Sequence, residues 1–271
     1  MPELAEVQTL VDQLKVELQD ATIQEFIVHH PGLLQVGNPR GLSGKQILDI
    51  QRWGKRMQFI LSPNPGSSEP SCLVVGLGMT GGWIWGTQPT KHCIAEIHTN
   101  QGDAWYVDPR KFGKMHFFST MRSAYEALGP RIGVDALAKL NDKQLAEALG
   151  SSDIKLKAAL LDQSRLAGIG NYLADEIAWD SQLSPLRPLK SLSPDDWSRL
   201  NKARTKIIRR ALKAQGLSFS DYRHADGSKG DMLSHLRAYG RSGKECLRCG
   251  GILQKSVVAG RGTHWCPACQ N

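Results

Sequence analysis

Val7, Leu10, Val11, Leu14 and Leu18 recur at the i, i+3, i+4, i+7 spacing of one helical face. The chain therefore opens with an amphipathic helix that begins almost at its first residue. From Ile23 to about Phe118 the pattern changes. Short runs rich in Ile, Val, Phe and Trp alternate with Gly, Pro and Asn punctuation, including Gly41, Gly54 and Asn100-Gln101-Gly102. This predicts seven or eight strands in a sandwich or barrel. From Ser123 helical spacing returns, over residues 142–149, 154–161, 171–179 and 194–214. Ser193-Pro194-Asp195-Asp196 is a helix start, with a capping Ser, Pro in the first turn and acids at the positive helix end. The sheet part gives way to the helical part near Gly129-Pro130. Residues 62–71, rich in Pro, Ser and Gly, read as an exposed loop, and residues 221–231 form a polar segment with little periodicity. The chain shows no internal repeat.

The last part of the chain changes the picture most. Cys246-x2-Cys249 and Cys266-x2-Cys269 are separated by sixteen residues, the ligand pattern of a tetrahedral zinc site. Gly-Gly, Val257-Val258 and Gly260-Arg261-Gly262 between the pairs predict a hairpin whose tip presents Arg261. With so few apolar residues, this finger should draw most of its stability from metal. The first twenty residues lack a basic start followed by an apolar run, so no signal peptide is expected, and a reducing cytoplasm would keep the thiols free for metal. Cys72 and Cys93 lie in apolar, strand-like runs and are expected to be buried thiols. The 271 residues allow two domains or one with appendages. No apolar stretch approaches the ~20 residues of a membrane span. Lys plus Arg number 34 against 26 Asp plus Glu, a net charge of +8. That surplus beside a zinc finger points to a polyanion, and first to nucleic acid.

Several short motifs carry candidate chemistry, each with a plainer reading beside it. Pro2 follows the initiator Met, and removal of Met1 would expose a secondary amine able to form a Schiff base; local pattern alone favours the plainer reading, a helix-start residue with Glu3 and Glu6 complementing the helix dipole. Gly168-Ile169-Gly170-Asn171 precedes a helix and could admit a phosphate, or be an ordinary glycine turn. Asp108-Pro109-Arg110-Lys111-Phe112-Gly113 pairs basic side chains with an aromatic on a tight turn, as would suit a wedge into a base stack, and Gly78-Met79-Thr80-Gly81 is a second glycine-bounded loop with an apolar tip. Arg52-Trp53-Gly54-Lys55-Arg56 is a basic turn between strands.

Together these pieces resemble the formamidopyrimidine-DNA glycosylase and endonuclease VIII family of bifunctional base-excision repair enzymes. The likeness spans the chain: Pro2-Glu3-Leu4-Ala5-Glu6-Val7, the motif at residues 108–113, Gly168-Ile169-Gly170-Asn171 and Arg261-Gly262-Thr263-His264-Trp265-Cys266-Pro267 match in the family's order. The resemblance implies an α+β multidomain chain: an N-terminal helix plus β-sandwich (1–128), a helix-two-turn-helix domain (129–225), and a lesion-loop end with C-terminal zinc finger (226–271), with DNA in the cleft between the halves. It implies Pro2 as the nucleophile at C1′ and Glu3 as the acid on the deoxyribose ring oxygen. Lys55 would assist proton transfer beside a phosphate, and Arg261 completes the catalytic set. Asn171 and Arg261 would clamp phosphates, Lys157 and Tyr239 would add phosphate contacts, and Met79, Arg110 and Phe112 would fill the gap left by an extruded base. One structural zinc on Cys246, Cys249, Cys266 and Cys269 follows, as do damaged double-stranded DNA as partner, a monomeric state and a cytoplasmic, nucleoid-associated location.

Within the family the 8-oxoguanine branch fits better, on the Met79, Arg110, Phe112 trio and on a polar stretch, 221–232, that looks like its lesion-capping loop. Three departures stand out. Ala5 replaces a proline, Gly76 replaces a histidine that touches DNA, and Gly230-Asp231-Met232 replaces Gly-Tyr-Phe in the capping region. The alternatives are an endonuclease VIII-like glycosylase for oxidised pyrimidines and a non-catalytic binder of lesion DNA. Retention of Pro2, Glu3 and Lys55 favours the enzyme.

Overall fold

The computed structural model describes residues 2–86, 88–89, 91–218 and 223–271. The chain divides into two compact units, Met1–Pro130 with Gln215–Asp231, and Arg131–Ala214 with Met232–Asn271.

In the first unit, α1 (Leu4–Leu18) precedes nine strands among the described residues: β1 (Ile23–Val28), β2 (Leu34–Val36), β3 (Ile47–Trp53), β4 (Arg56–Leu61), β5 (Ser71–Gly76), β6 (Gly82–Trp85), β7 (Cys93–Thr99), β8 (Asp103–Val107) and β9 (Lys114–Phe118). They form two sheets, ordered β1-β7-β8-β6 and β2-β9-β5-β4-β3. The sandwich alternative is thus the one observed, with one or two more strands than the punctuation predicted. Leu10, Leu14 and Leu18 of α1 are fully buried in one core with Ile47, Phe59 and Trp83. Phe59 of one sheet meets Trp83 of the other edge-on at 5.7 Å, and Tyr106 lies tilted against Trp83 at 5.2 Å. Such aromatic pairs bind the layers beyond their buried area. α2 (Met121–Leu128), capped by Thr120, closes the unit over Cys72 and Val74.

Cys72 is buried, and burial pushes its thiol up to about 12. Cys93 is only part-buried, against expectation. A register shift between Cys93 and Ala95 breaks the in-out alternation of β7 and turns Cys93 towards the outer face.

The second unit holds β10 (Val134–Asp135), α3 (Asp142–Leu149), α4 (Leu156–Leu161), β11 (Leu166–Ala167), α5 (Asn171–Asp180), α6 (Pro194–Lys213), β12 (Gln254–Val258) and β13 (Arg261–Trp265). α4 starts two residues later than its pattern suggested. Lys155 is extended instead, bridged to Pro188, and Leu189 donates to the Ile154 carbonyl. The predicted start of α6 is built as a reciprocal capping box between Ser193 and Asp196. α5 is enclosed nearly all round, with every residue from Tyr172 to Trp179 buried. No helix among the described residues is long and apolar enough to cross a membrane.

The last α-helix, α6, ends at Lys213, and Gln215–Asp231 cluster with the first unit. Gln215 and Gly216 adopt positive φ, which ends α6. Residues 217–231 then belong to the first unit: Ala225 donates to Gln13 Oε1 at 2.8 Å, and its carbonyl accepts from Trp85 at 2.9 Å. Of the expected capping stretch 221–232, residues 221 and 222 lie outside the described residues.

Candidate active site and nucleic-acid interface

Pro2 is buried immediately before α1, and Glu3 is its N-cap. The Glu3 amide donates to Glu6 Oε2 at 2.7 Å. The other Glu6 oxygen accepts from Leu217, and a Cβ on Gly216 would collide with this carboxylate at 2.7 Å. Glu6 therefore pins the returning segment to the N-terminus. Lys55 sits in the two-residue turn of the β3–β4 hairpin, after Gly54 in the left-handed region. α1 packs on both strands of that hairpin, and Arg52 Nε donates to Gln8 Oε1 at 2.9 Å. Pro2, Glu3 and the hairpin that bears Lys55 are thus parts of one packed assembly.

Asp108 organises the loops at 78–81 and 108–113. It is fully buried and accepts from Thr80 Oγ1 at 2.5 Å, the Arg110 amide at 3.2 Å and the Gly113 amide at 2.8 Å. The Thr80 bond joins the Met79 loop to the 108–113 loop. A Cβ on Gly78 would meet the Phe112 carbonyl carbon at 2.7 Å, so the two backbones touch. On this base Arg110 and Phe112 stand exposed, with the guanidinium 4.6 Å from the Phe112 ring centre, and Met79 lies part-exposed on the adjoining loop. An apolar tip beside a cation is what a base-stack wedge needs. Gly76, at the end of β5, offers no side chain there.

In the second unit, Gln163 laces the glycine loop. Its Nε2 donates to the Leu161 and Ile169 carbonyls and its Oε1 accepts from Gly168 at 3.0 Å. Asn171 begins α5 at the positive helix end, with its Oδ1 buried and lacking a hydrogen-bond partner among the described residues. Arg261 is exposed at the start of β13, just past a tight turn in which Ala259 and Gly260 both have positive φ.

Lys157 is buried behind the Arg261 hairpin. It is 0% exposed, its Nζ is 2.7 Å from Asp175 Oδ1, and it donates to the Gly262 carbonyl at 2.9 Å. Asp175 Oδ2 accepts from the His264 amide at 2.9 Å, with the His264 ring nitrogen Nδ1 at 3.0 Å. The buried pair thus grips β13 at residues 262 and 264, directly after Arg261. Tyr239 is half-buried, edge-on to His264 at 5.3 Å and to Tyr172 at 6.3 Å. Its loop is held by Glu176, whose buried carboxylate accepts the amides of Arg237, Ala238 and Tyr239. Burial raises the Glu176 pKa, and those three amides oppose the rise.

Asp108, Asp175, Glu176 and His264 were given no role by sequence reasoning. Adjacent acids at 175 and 176 inside an otherwise apolar helix were the available signal, since buried acids require partners.

The four finger cysteines place their sulfurs within 4.8 Å of one another, with Cys249–Cys266 at 3.5 Å and Cys246–Cys269 at 3.8 Å. Zinc–sulfur bonds of about 2.3 Å in a tetrahedron put sulfurs about 3.8 Å apart, so the site fits one structural zinc ion. Burial works against ionising Cys246, but backbone amides and the Trp179 indole, 3.4 Å away, bring its thiol down to about 6. Cys246, Cys266 and Leu253 pack on Trp179 of α5, so the finger shares a core with the helices instead of standing alone.

A helix-capped sandwich, a helical unit and a four-cysteine finger, with exposed basic and aromatic tips on rigid bases, define a DNA-processing protein of the helix-two-turn-helix class. Residues 1–115 match the formamidopyrimidine-DNA glycosylase N-terminal domain, residues 132–222 the formamidopyrimidine-DNA glycosylase H2TH domain, and residues 243–271 the zinc finger found in FPG and IleRS. The chain belongs to the formamidopyrimidine-DNA glycosylase family. It is 36% identical to the formamidopyrimidine-DNA glycosylase of Thermus thermophilus over 281 residues, covering 100% of this chain and 98% of the relative. A Lactococcus lactis Fpg mutant solved with Fapy-dG-containing DNA superposes with a TM-score of 0.90 at 31% identity, covering 100% of both chains. The Lactococcus lactis Fpg complex with abasic-site DNA gives 0.88 at 31% identity, over 99% of each.

Proposed function

We propose that this protein is a bifunctional DNA glycosylase and abasic-site lyase of base-excision repair, acting on oxidised purines in duplex DNA. Family membership over the whole chain carries the enzyme class. Relatives solved on Fapy-dG and on abasic DNA support the lesion class and the second activity.

In this reading, removal of Met1 exposes the Pro2 amine. Its lone pair attacks C1′, and the glycosidic bond breaks with its electrons leaving on the base. Glu3 protonates the ring oxygen, the sugar opens, and an iminium forms between Pro2 and C1′. The iminium acidifies the C2′ proton. Its removal expels the 3′ phosphate, and a second elimination expels the 5′ phosphate. Lys55 and Arg261 serve proton transfer and hold phosphate during these steps. Extrusion of the base costs a few kcal/mol of unstacking. Met79, Arg110 and Phe112 offset it by occupying the gap, while Asn171 and Arg261 hold the flanking phosphates. Lys157 acts through Arg261, by fixing the strand that presents it. Zinc supplies structure to the same hairpin.

The reading separates two chemical steps, and Glu3→Gln tests it. The variant should lose base excision on 8-oxoguanine duplexes yet still cleave a preformed abasic site, where no glycosidic bond remains. Equal loss of both activities would remove Glu3 from the glycosylase step.

A further inference from the structure

We propose a second metal site, for a Zn2+ ion, on the outer face of the first unit, formed by the imidazole of His29, the thiolate of Cys93 and the carboxylate of Glu96.

His29 follows the end of β1, and β1 is the edge of its sheet, paired only with β7 among the described residues. The ladder sets Ile27 opposite Glu96 and Val28 opposite Ala95, and the His29 amide donates to the Ile94 carbonyl at 3.0 Å. His29 is thereby carried across to the start of β7. On a regular strand Cys93 and Glu96, three positions apart, would face opposite ways. The register shift at 93–95 restores them to one side. As a result one nitrogen, one sulfur and one oxygen donor lie within 4.8 Å of one another, and His29 Nε2 is 2.5 Å from Glu96 Oε1. An ion with bonds of about 2.0–2.3 Å needs donors roughly 3.3–3.8 Å apart, so the three donors are within reach of one ion once the His29–Glu96 hydrogen bond opens by about 1 Å.

The donor set selects the ion. Imidazole, thiolate and carboxylate are all zinc ligands, and three protein donors leave a fourth position for water. The His29 side chain is 45% exposed, which gives an ion a path in.

A supporting shell is already built. The second Glu96 oxygen is 3.1 Å from His98 Nε2, and His98 Nδ1 is 3.0 Å from Asp103 Oδ1 on β8. Metal-binding carboxylates are oriented by such outer partners. Glu96 and His98 share a face, and His98 pairs directly with Asp103 in the ladder, so the chain of donors crosses three strands.

The location gives the site a consequence. Cys93 pairs with Val107, and the Asp108 amide donates to the His92 carbonyl at 3.0 Å. An ion on Cys93 would fasten the edge strand to the root of the loop that carries Arg110 and Phe112.

Calorimetric titration of the protein, already carrying its finger zinc, with ZnCl2 tests this. Wild type should take up one further equivalent. Cys93→Ser and Glu96→Gln should each weaken that equivalent by at least about tenfold and leave the finger zinc and the melting temperature without added metal unchanged. With cobalt in place of zinc, the second equivalent should add a thiolate-to-metal absorption that Cys93→Ser lacks. Amide exchange in residues 108–113 should slow when the second equivalent is bound. No second equivalent in wild type, or one whose affinity stays within tenfold in either variant, would overturn the proposal. The outcome is independent of glycosylase activity.

Discussion

The Asp108-anchored loops of the first unit and the Arg261 hairpin of the second are built alike but with different electrostatics. Each presents an exposed arginine on a turn, and each turn is fixed by a buried aspartate. Asp108 is satisfied by two backbone amides and the Thr80 hydroxyl. Asp175 is satisfied by the His264 amide and by a fully buried Lys157. Losing Asp108 would leave a few amides to find water. Losing Asp175 would take away the carboxylate that pairs with a buried ammonium. The two loops should therefore differ sharply in what their anchors cost to remove, and the four-cysteine site adds a support to the Arg261 hairpin that the Asp108 loops lack.

The largest effect should come from the metal. Cys249→Ser should release zinc and disorder the hairpin, since structural zinc sites contribute about 10 kcal/mol or more to folding of such modules. Metal content and proteolysis of residues 243–271 would report it, with melting of the sandwich unchanged. Next, Asp175→Asn should destabilise the second unit by about 3–5 kcal/mol, the cost of breaking a buried ion pair from one side. Calorimetric unfolding would show it, and adding Lys157→Met should recover part of the loss. Equal stability of the single and double variants would mean that Lys157 is not the stranded charge. Asp108→Asn should cost less, about 1–3 kcal/mol for amides left imperfectly satisfied. It should lower excision with zinc content intact. Arg110→Ala should barely move stability, as for exposed sites in general. Its effect belongs to discrimination of the opposite base, measured as relative excision across the four pairings. A profile equal to that of the parent protein would remove Arg110 from the wedge.

The legibility of the chain follows the range of the interactions. α1, α3, α5 and α6 could be read closely because helix periodicity and caps are local; Ser193 and Asp196 lie within one turn. The zinc ligands could be read because both pairs are short-range and thiol chemistry is restrictive. The anchors could not. Thr80 meets Asp108 across 28 positions, and Lys157 meets the Gly262 carbonyl across 105. Lys157 did carry one local cue, as it shares a face of α4 with Leu160 and Leu161. The return of residues 215–231 to the first unit had no compositional mark, because a polar segment reads as a loop whichever unit it joins. The part-exposure of Cys93 escapes the sequence for a related reason: a β-bulge inverts alternation without announcing itself in residue type.

The account rests on Pro2 as the covalent nucleophile, and one measurement reaches it directly. The enzyme should be mixed with an 8-oxoguanine duplex under borohydride, and the trapped complex digested and mapped by mass spectrometry. The account predicts reduced DNA attached to the N-terminal peptide, through the nitrogen of Pro2, with Met1 absent. Attachment at Lys55, or failure to trap any protein while the base is still released, would contradict it.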